Sequence, residues 1–86
     1  MARFEIRFKR SVVKELLQLP KADNRRIMAR IESLAANPFP NGSEKLAGRD
    51  AYRIRQGNYR IIYSVDDRRV IVEIVRVGHR SDVYRH

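Results

Sequence analysis

The sequence has no cysteine, which removes disulfides and thiolate metal sites as sources of stiffness. Its only histidines are His79 and His86, so a structural zinc site is not expected. The 86 residues suffice for one domain spanning 1–86, and a chain this short buries only roughly 60–65% of the surface its unfolded form exposes. The fold must therefore rest on a thin hydrophobic core, and it has reason to lean on a partner. Met1-Ala2-Arg3-Phe4-Glu5 is charged and lacks an apolar h-region, so no signal peptide is expected. Apolar runs such as Val70-Ile71-Val72 stop at a charge, here Glu73, far short of a membrane span. The expectation is a soluble, cytoplasmic protein. There is also no glycine-rich phosphate loop, no Ser/His/Asp set, no pair of carboxylates at metal-binding spacing and no HExxH. An enzyme built from this chain would have to stabilise charge with its own cations, and no cofactor or metal is expected.

Positive charge is what the sequence does have. Nineteen Lys and Arg face ten Asp and Glu, for a net charge of +9. Such an excess draws a chain toward polyanions at some cost in self-repulsion. From Arg49 onward there are nine arginines and no lysine. The planar guanidinium fork suits phosphate, so this bias favours nucleic acid or an acidic partner over a merely basic surface.

Phe4, Ile6 and Phe8 alternate with charged residues, which is the period-two pattern of a half-buried strand. From about Arg10 to Leu19 the period becomes helical, with Val13, Leu16 and Leu17 as the stripe and Val12 and Leu19 at its edges; Leu19-Pro20 closes it. A second helix is predicted from about Lys21 to Ala36, with Ile27, Ile31, Leu34 and Ala35 on one face and Asn37-Pro38 as its stop. The short link between the helices predicts an antiparallel hairpin. After the turn-rich Phe39-Pro40-Asn41-Gly42-Ser43 come strands at about Tyr52 to Arg55, Tyr59 to Val65 and Arg69 to Val77. The order βααβββ predicts an α+β layer, two helices on one face of a mainly antiparallel four-stranded sheet.

Gly57-Asn58 fits a two-residue type II′ turn. That turn sets Gln56 opposite Tyr59, Arg55 opposite Arg60, Ile54 opposite Ile61 and Tyr52 opposite Tyr63. Side chains alternate along a strand, so the tyrosines and isoleucines, with Val65, face the helices, while Arg53, Arg55 and Arg60 share the uncovered face. Like charges placed opposite each other destabilise a ladder by roughly a few tenths to 1 kcal/mol, which makes an anion between them a natural expectation. The alternatives are arginines that splay into solvent, or a longer turn that shifts the register. Glu73 is expected on the same face, diagonal to Arg60, either as a general base or as a counter-charge whose pKa the arginines would lower. Gly78 allows a sharp departure that could bring His79 or Arg80 back over the sheet. His79 reads as a proton shuttle or as a solvated loop residue. Tyr84 sits in a polar segment, placed either to stack on a base or to lie against the core.

Lys45-Leu46-Ala47-Gly48, Tyr52-Arg53-Ile54-Arg55, Gly57-Asn58-Tyr59-Arg60-Ile61-Ile62-Tyr63 and Val77-Gly78-His79-Arg80-Ser81-Asp82-Val83-Tyr84 together resemble the RelE branch of the RelE/ParE toxin superfamily. The resemblance runs over nearly the whole chain. It implies a cytoplasmic toxin, neutralised by a RelB-like antitoxin, that cleaves mRNA in the ribosomal A site without a metal and leaves a 2′,3′-cyclic phosphate. It implies catalytic roles for Arg55, Arg60, Arg80 and Tyr84, and RNA contacts by Arg53, Lys45 and His79. Arg60 and Arg80 would hold the scissile phosphate, Arg55 would support it or the 2′-oxygen, and Tyr84 would orient the nucleotide. Some members carry lysines at the two second-strand positions; arginine keeps the charge but removes a group that readily loses a proton. Two rival readings remain: a ParE-like inhibitor of DNA gyrase, which catalyses nothing, and a plain nucleic-acid-binding module.

Overall fold

The computed structural model describes residues 3–79. In chain order these form β1 (Glu5–Phe8), α1 (Arg10–Leu17), α2 (Lys21–Ser33), β2 (Glu44–Lys45), β3 (Tyr52–Gln56), β4 (Tyr59–Asp66) and β5 (Ile71–His79). The sheet runs β1-β5-β4-β3-β2. β1 is parallel to β5 and the other pairings are antiparallel. The α+β class and the helical hairpin are as expected, but the sheet has five strands where four were predicted. The extra strand is Glu44–Lys45, paired with Arg53 and Tyr52. Two residues are too few to show a period-two pattern.

α1 buries Val12 and Leu16, one turn apart, and leaves Val13 47% and Leu17 79% exposed. The stripe expected at Val13, Leu16 and Leu17 is thus rotated on the helix. β1 sets the phase: it passes into α1 through Lys9, whose N–H donates to the Ile74 carbonyl at 3.0 Å. Both helices end short of their predicted limits in tightened turns. Leu19 N–H reaches back to the Leu16 carbonyl (3.2 Å), and Leu34 N–H to that of Ile31 (3.0 Å). α2 buries Ile27 and Ile31, with Leu34 and Ala35 just beyond it, as its spacing predicted. The Asn24 side-chain amide donates to the Leu16 carbonyl at 2.9 Å and ties the two helices into a hairpin.

Against these helices the sheet sets Ile54, Ile61 and Tyr63 from β3 and β4, and Val72, Ile74 and Val77 from β5. Tyr63 is fully buried, yet its hydroxyl donates to the Pro38 carbonyl at 2.7 Å. Burial pushes its pKa above the ordinary tyrosine value. Tyr63 pairs with Ile74 but Ile62 pairs with Arg76, so Val75 is an extra residue, a β-bulge that keeps Val77 in the core. Past Ile74, β1 no longer covers the edge of β5. There the Glu15 carboxylate of α1 accepts the Val77 N–H at 2.9 Å and lies 3.4 Å from the Arg76 Nε. Among the described residues no helix is long and apolar enough to cross a membrane.

Candidate nucleic-acid interface

The β3–β4 hairpin has the register that turn chemistry predicts. Gly57 adopts φ +61, the value required at the first central position of a type II′ turn, which a side chain would strain. Gln56 pairs with Tyr59, Arg55 with Arg60, Ile54 with Ile61 and Tyr52 with Tyr63. In a two-residue loop the closing pair is the hydrogen-bonded one. Arg55↔Arg60 is therefore the next, non-hydrogen-bonded rung, where opposed side chains stand closest. Arg53, Arg55 and Arg60 share the sheet face opposite the helices.

The three arginines are not equivalent. Arg55 is exposed, whereas Arg53 and Arg60 are half-buried and withdraw their Nε atoms from solvent. Arg53 reaches across to Glu44 of β2 at 2.8 Å, and only 11% of its side chain is exposed. On the other flank of β4, β5 places Gly78 opposite Arg60, a residue with no side chain to compete for the space. Ile62 also points to this face and is 5% exposed, although both helices lie on the other side. Its ladder neighbours are Arg53 and Arg76, and their aliphatic stems account for its burial.

Several expected placements differ. Glu73 is not diagonal to Arg60. It pairs with Ser64, four residues further along β4, roughly 13 Å away at about 3.3 Å per residue. The turn over residues 67–70 sets that offset, since it pairs Asp66 with Ile71. Glu73 instead pairs across β1–β5 with Arg7, which is bound to Glu5 at 2.7 Å. The Arg7 pKa is raised, first by its hydrogen bond to Glu5, with a smaller push from the Glu73 charge. Gly78 does not turn the chain, because β5 continues through His79. His79 pairs with Tyr59, so it lies on the helix side of the sheet, edge-to-face with that ring at 6.0 Å. Lys45 pairs with Tyr52, whose side chain also faces the helices, so the register sets Lys45 on the other face from Arg53 and Arg55. Arg80 and Tyr84 lie outside the described residues. Glu44, the partner of Arg53, escaped the sequence reading because the strand that carries it was not recognised.

A face of this kind can hold a phosphate and stabilise negative charge that develops on it. Fixed guanidinium donors do this without reorganising as the charge appears.

Residues 6–84 match the family described as ParE toxin of type II toxin–antitoxin system, parDE. Toxin RelG of Mycobacterium tuberculosis is 33% identical over 90 residues, covering 95% of this chain and 97% of that protein. Among solved structures, the toxin–antitoxin complex RelBE2 of Mycobacterium tuberculosis matches with a TM-score of 0.83 and 27% identity, over 95% of this chain and 97% of that one. The RelE–RelB complex of Pyrococcus horikoshii matches with a TM-score of 0.79 and 31% identity, over 94% and 99%. The matched span, the fold and the relatives agree: the chain belongs to the RelE/ParE superfamily, on its RelE-type branch, as the toxin component of a type II toxin–antitoxin system.

Proposed function

We propose that this toxin is a ribosome-dependent, metal-independent endoribonuclease that cuts mRNA in the A site. The observation that carries the reading is the Arg55↔Arg60 rung, a pair of like charges held face to face at the end of a hairpin, with Arg53 on the same face. The ribose 2′-oxygen bonds to the adjacent phosphorus as its proton leaves. The bond from phosphorus to the 5′-oxygen breaks, and that oxygen takes up a proton. The products are a 2′,3′-cyclic phosphate and a 5′-hydroxyl. The nucleophile comes with the substrate, so the protein has to align it and stabilise charge on the phosphoryl oxygens. Arg60 and Arg55 do this on the sheet, joined by Arg80, with Tyr84 orienting the nucleotide. Arg53 and His79 contact the RNA. Lys45, on the opposite face of the edge strand, does so only where the RNA passes that edge.

The partner in the cell is a RelB-like antitoxin, as in the complexes of the relatives. The exposed Val13 and Leu17 border a cavity of about 260 Å³ lined by Phe8, Leu16 and Met28 as well, all apolar, which suits an amphipathic segment of such a partner.

Induced expression with mapping of new mRNA ends, run beside a gyrase supercoiling assay, tests the reading. New ends in frame with codons and dependent on translation are expected. On programmed ribosomes Arg60→Ala should cut about 100-fold more slowly, the usual loss when one transition-state donor is removed. Intact messages with inhibited gyrase would overturn the proposal in favour of a ParE-like activity.

A further inference from the structure

The other side of the same hairpin tip carries a second feature. Gln56, Tyr59 and His79 form a row across β3, β4 and β5, one rung beyond Arg55, Arg60 and Gly78. Because faces alternate from rung to rung, this row points to the helix side. Together with Asn58 of the turn and with Asp23 and Arg26 of α2 it lines a cavity of about 390 Å³. That volume lies within the roughly 300–1,000 Å³ of sites that enclose small organic groups.

The cavity is furnished for a flat, polar group. His79 is exposed, and its ring stands edge-to-face to Tyr59 at 6.0 Å, so two aromatic surfaces meet at one corner. The Tyr59 hydroxyl donates to Asp23 Oδ2 at 3.1 Å, and Arg26 approaches Asp23 Oδ1 at 3.8 Å. These contacts orient the carboxylate without exhausting it, since an ionised carboxylate offers about four acceptor positions. Partial burial and the hydrogen bond to Asp23 both raise the Tyr59 pKa, so its hydroxyl keeps the proton it donates. Only the two-residue turn Gly57-Asn58 separates this cavity from the arginine face, and Gly57 adds no side chain to block the way round.

We propose that this cavity takes an unpaired nucleobase of the RNA held on the arginine face, stacked on His79 beside the perpendicular Tyr59 ring, with its amino-bearing edge toward Asp23. The inference rests on the RNA reading of that face and adds a base preference to it. The backbone lies across Arg55 and Arg60, and the strand rounds the hairpin tip. One base leaves the stack and enters the cavity, the way single-stranded RNA is commonly read. Adenine, cytosine and guanine carry an exocyclic amino group to donate to Asp23, whereas uracil offers one N3–H between two carbonyl oxygens that the carboxylate repels.

The test uses the whole toxin and short single-stranded RNAs with 2′-O-methyl groups, which bind but cannot be cut. Each RNA carries 2-aminopurine at one position in turn. Fluorescence should be quenched at one position only. His79→Ala, a change at an exposed site, should abolish that quenching and weaken binding about tenfold, the size of one lost base–aromatic stack. Asp23→Asn should remove the preference for amino-bearing bases over uracil at that position, and Tyr59→Phe should retain the quenching. Arg55→Gln should weaken every sequence alike and lower the salt dependence. If Arg55→Gln weakens binding while His79→Ala and Asp23→Asn match the wild type on every sequence, the arginine face holds RNA and the cavity proposal is overturned alone. If no RNA binds, the cavity proposal falls, while cleavage on programmed ribosomes still decides the reading of the arginine face.

Discussion

Arg55 and Arg60 form a rung that a fold selected for stability alone would not keep, and this has a measurable consequence. Arg55 is the exposed member, so replacing it disturbs the hairpin least. Opposed side chains at a non-hydrogen-bonded rung stand about 4.5–5.5 Å apart at Cβ, and such pairs are worth roughly 0.2–1 kcal/mol in either direction. Arg55→Gln should therefore stabilise the free toxin by about 0.2–1 kcal/mol. Arg55→Glu, which turns repulsion into attraction, should do so by about twice that. A domain of this size gains roughly 4–8 °C in Tm per kcal/mol, so the expected rise is about 1–8 °C for the glutamine variant and larger for the glutamate. The assay is calorimetry at about 20 mM and at about 500 mM salt. Screening should shrink both gains at the higher concentration, which separates a charge effect from a change in strand propensity. Both variants should lose RNA cleavage while gaining stability, the trade-off of a site kept against the interest of the fold. A fall in Tm for Arg55→Glu at low salt would refute the reasoning. The two guanidinium groups would then not repel, and the case for an anion between them would lose its physical basis.

Val70 adopts φ +59, a left-handed conformation costly for a β-branched residue, and it is fixed there by Asp66, which accepts from the Arg68 and Arg69 N–H groups, and by the Glu5 N–H on its own carbonyl. Val70→Asn should stabilise by about 1 kcal/mol in urea melts, since asparagine tolerates that region; a lower midpoint would show that the lost packing outweighs the strain. Removing the carboxylate by Glu15→Ala strands the part-buried Val77 N–H and should cost about 1–3 kcal/mol, most of it recovered by Glu15→Gln, which restores an acceptor. Tyr63 has its pKa raised above 10.0 by burial, so the stability linked to its proton is complete below pH 10 and is lost as pH climbs through the higher folded-state value. Alkaline titration followed by circular dichroism should show that loss, and Tyr63→Phe should flatten it while lowering stability near neutrality, because the Pro38 carbonyl loses its donor.

The arginine rung was legible because one dipeptide, Gly57-Asn58, fixes the register of everything on either side of it. The core positions of α2 were legible for a similar reason, with thirteen residues giving the helical period room to declare itself. In α1, with eight residues, the period could not separate Val12 from Val13, and the covalent link to β1 decided between them. The bulge at Val75 left no local trace, because it arises from the pairing of β5 with β4 and β1 together. Glu73 was misplaced for a different reason: β5 starts at Ile71 rather than about Arg69, and the longer turn moves Glu73 two residues along β4. Gly78 suggested a departure before His79 that the structure does not make: a glycine permits a turn but does not require one, and the ladder with β4 carries the strand on through His79.

The parallel pairing of β1 with β5 bears on how the protein can come into being. The first strand waits for the last one described: Glu5 finds Ile71, and Phe8 finds Ile74, only when β5 has been made. Contacts so distant in sequence are slow to form, because the intervening loop must close before they return anything. Arg60 likewise meets Gly78 only once β5 has docked. A growing chain still short of that strand has the hairpin but not its flank, so the arginine face is completed all at once, when β5 docks. Premature termination upstream of β5 should therefore yield harmless fragments rather than partial toxins.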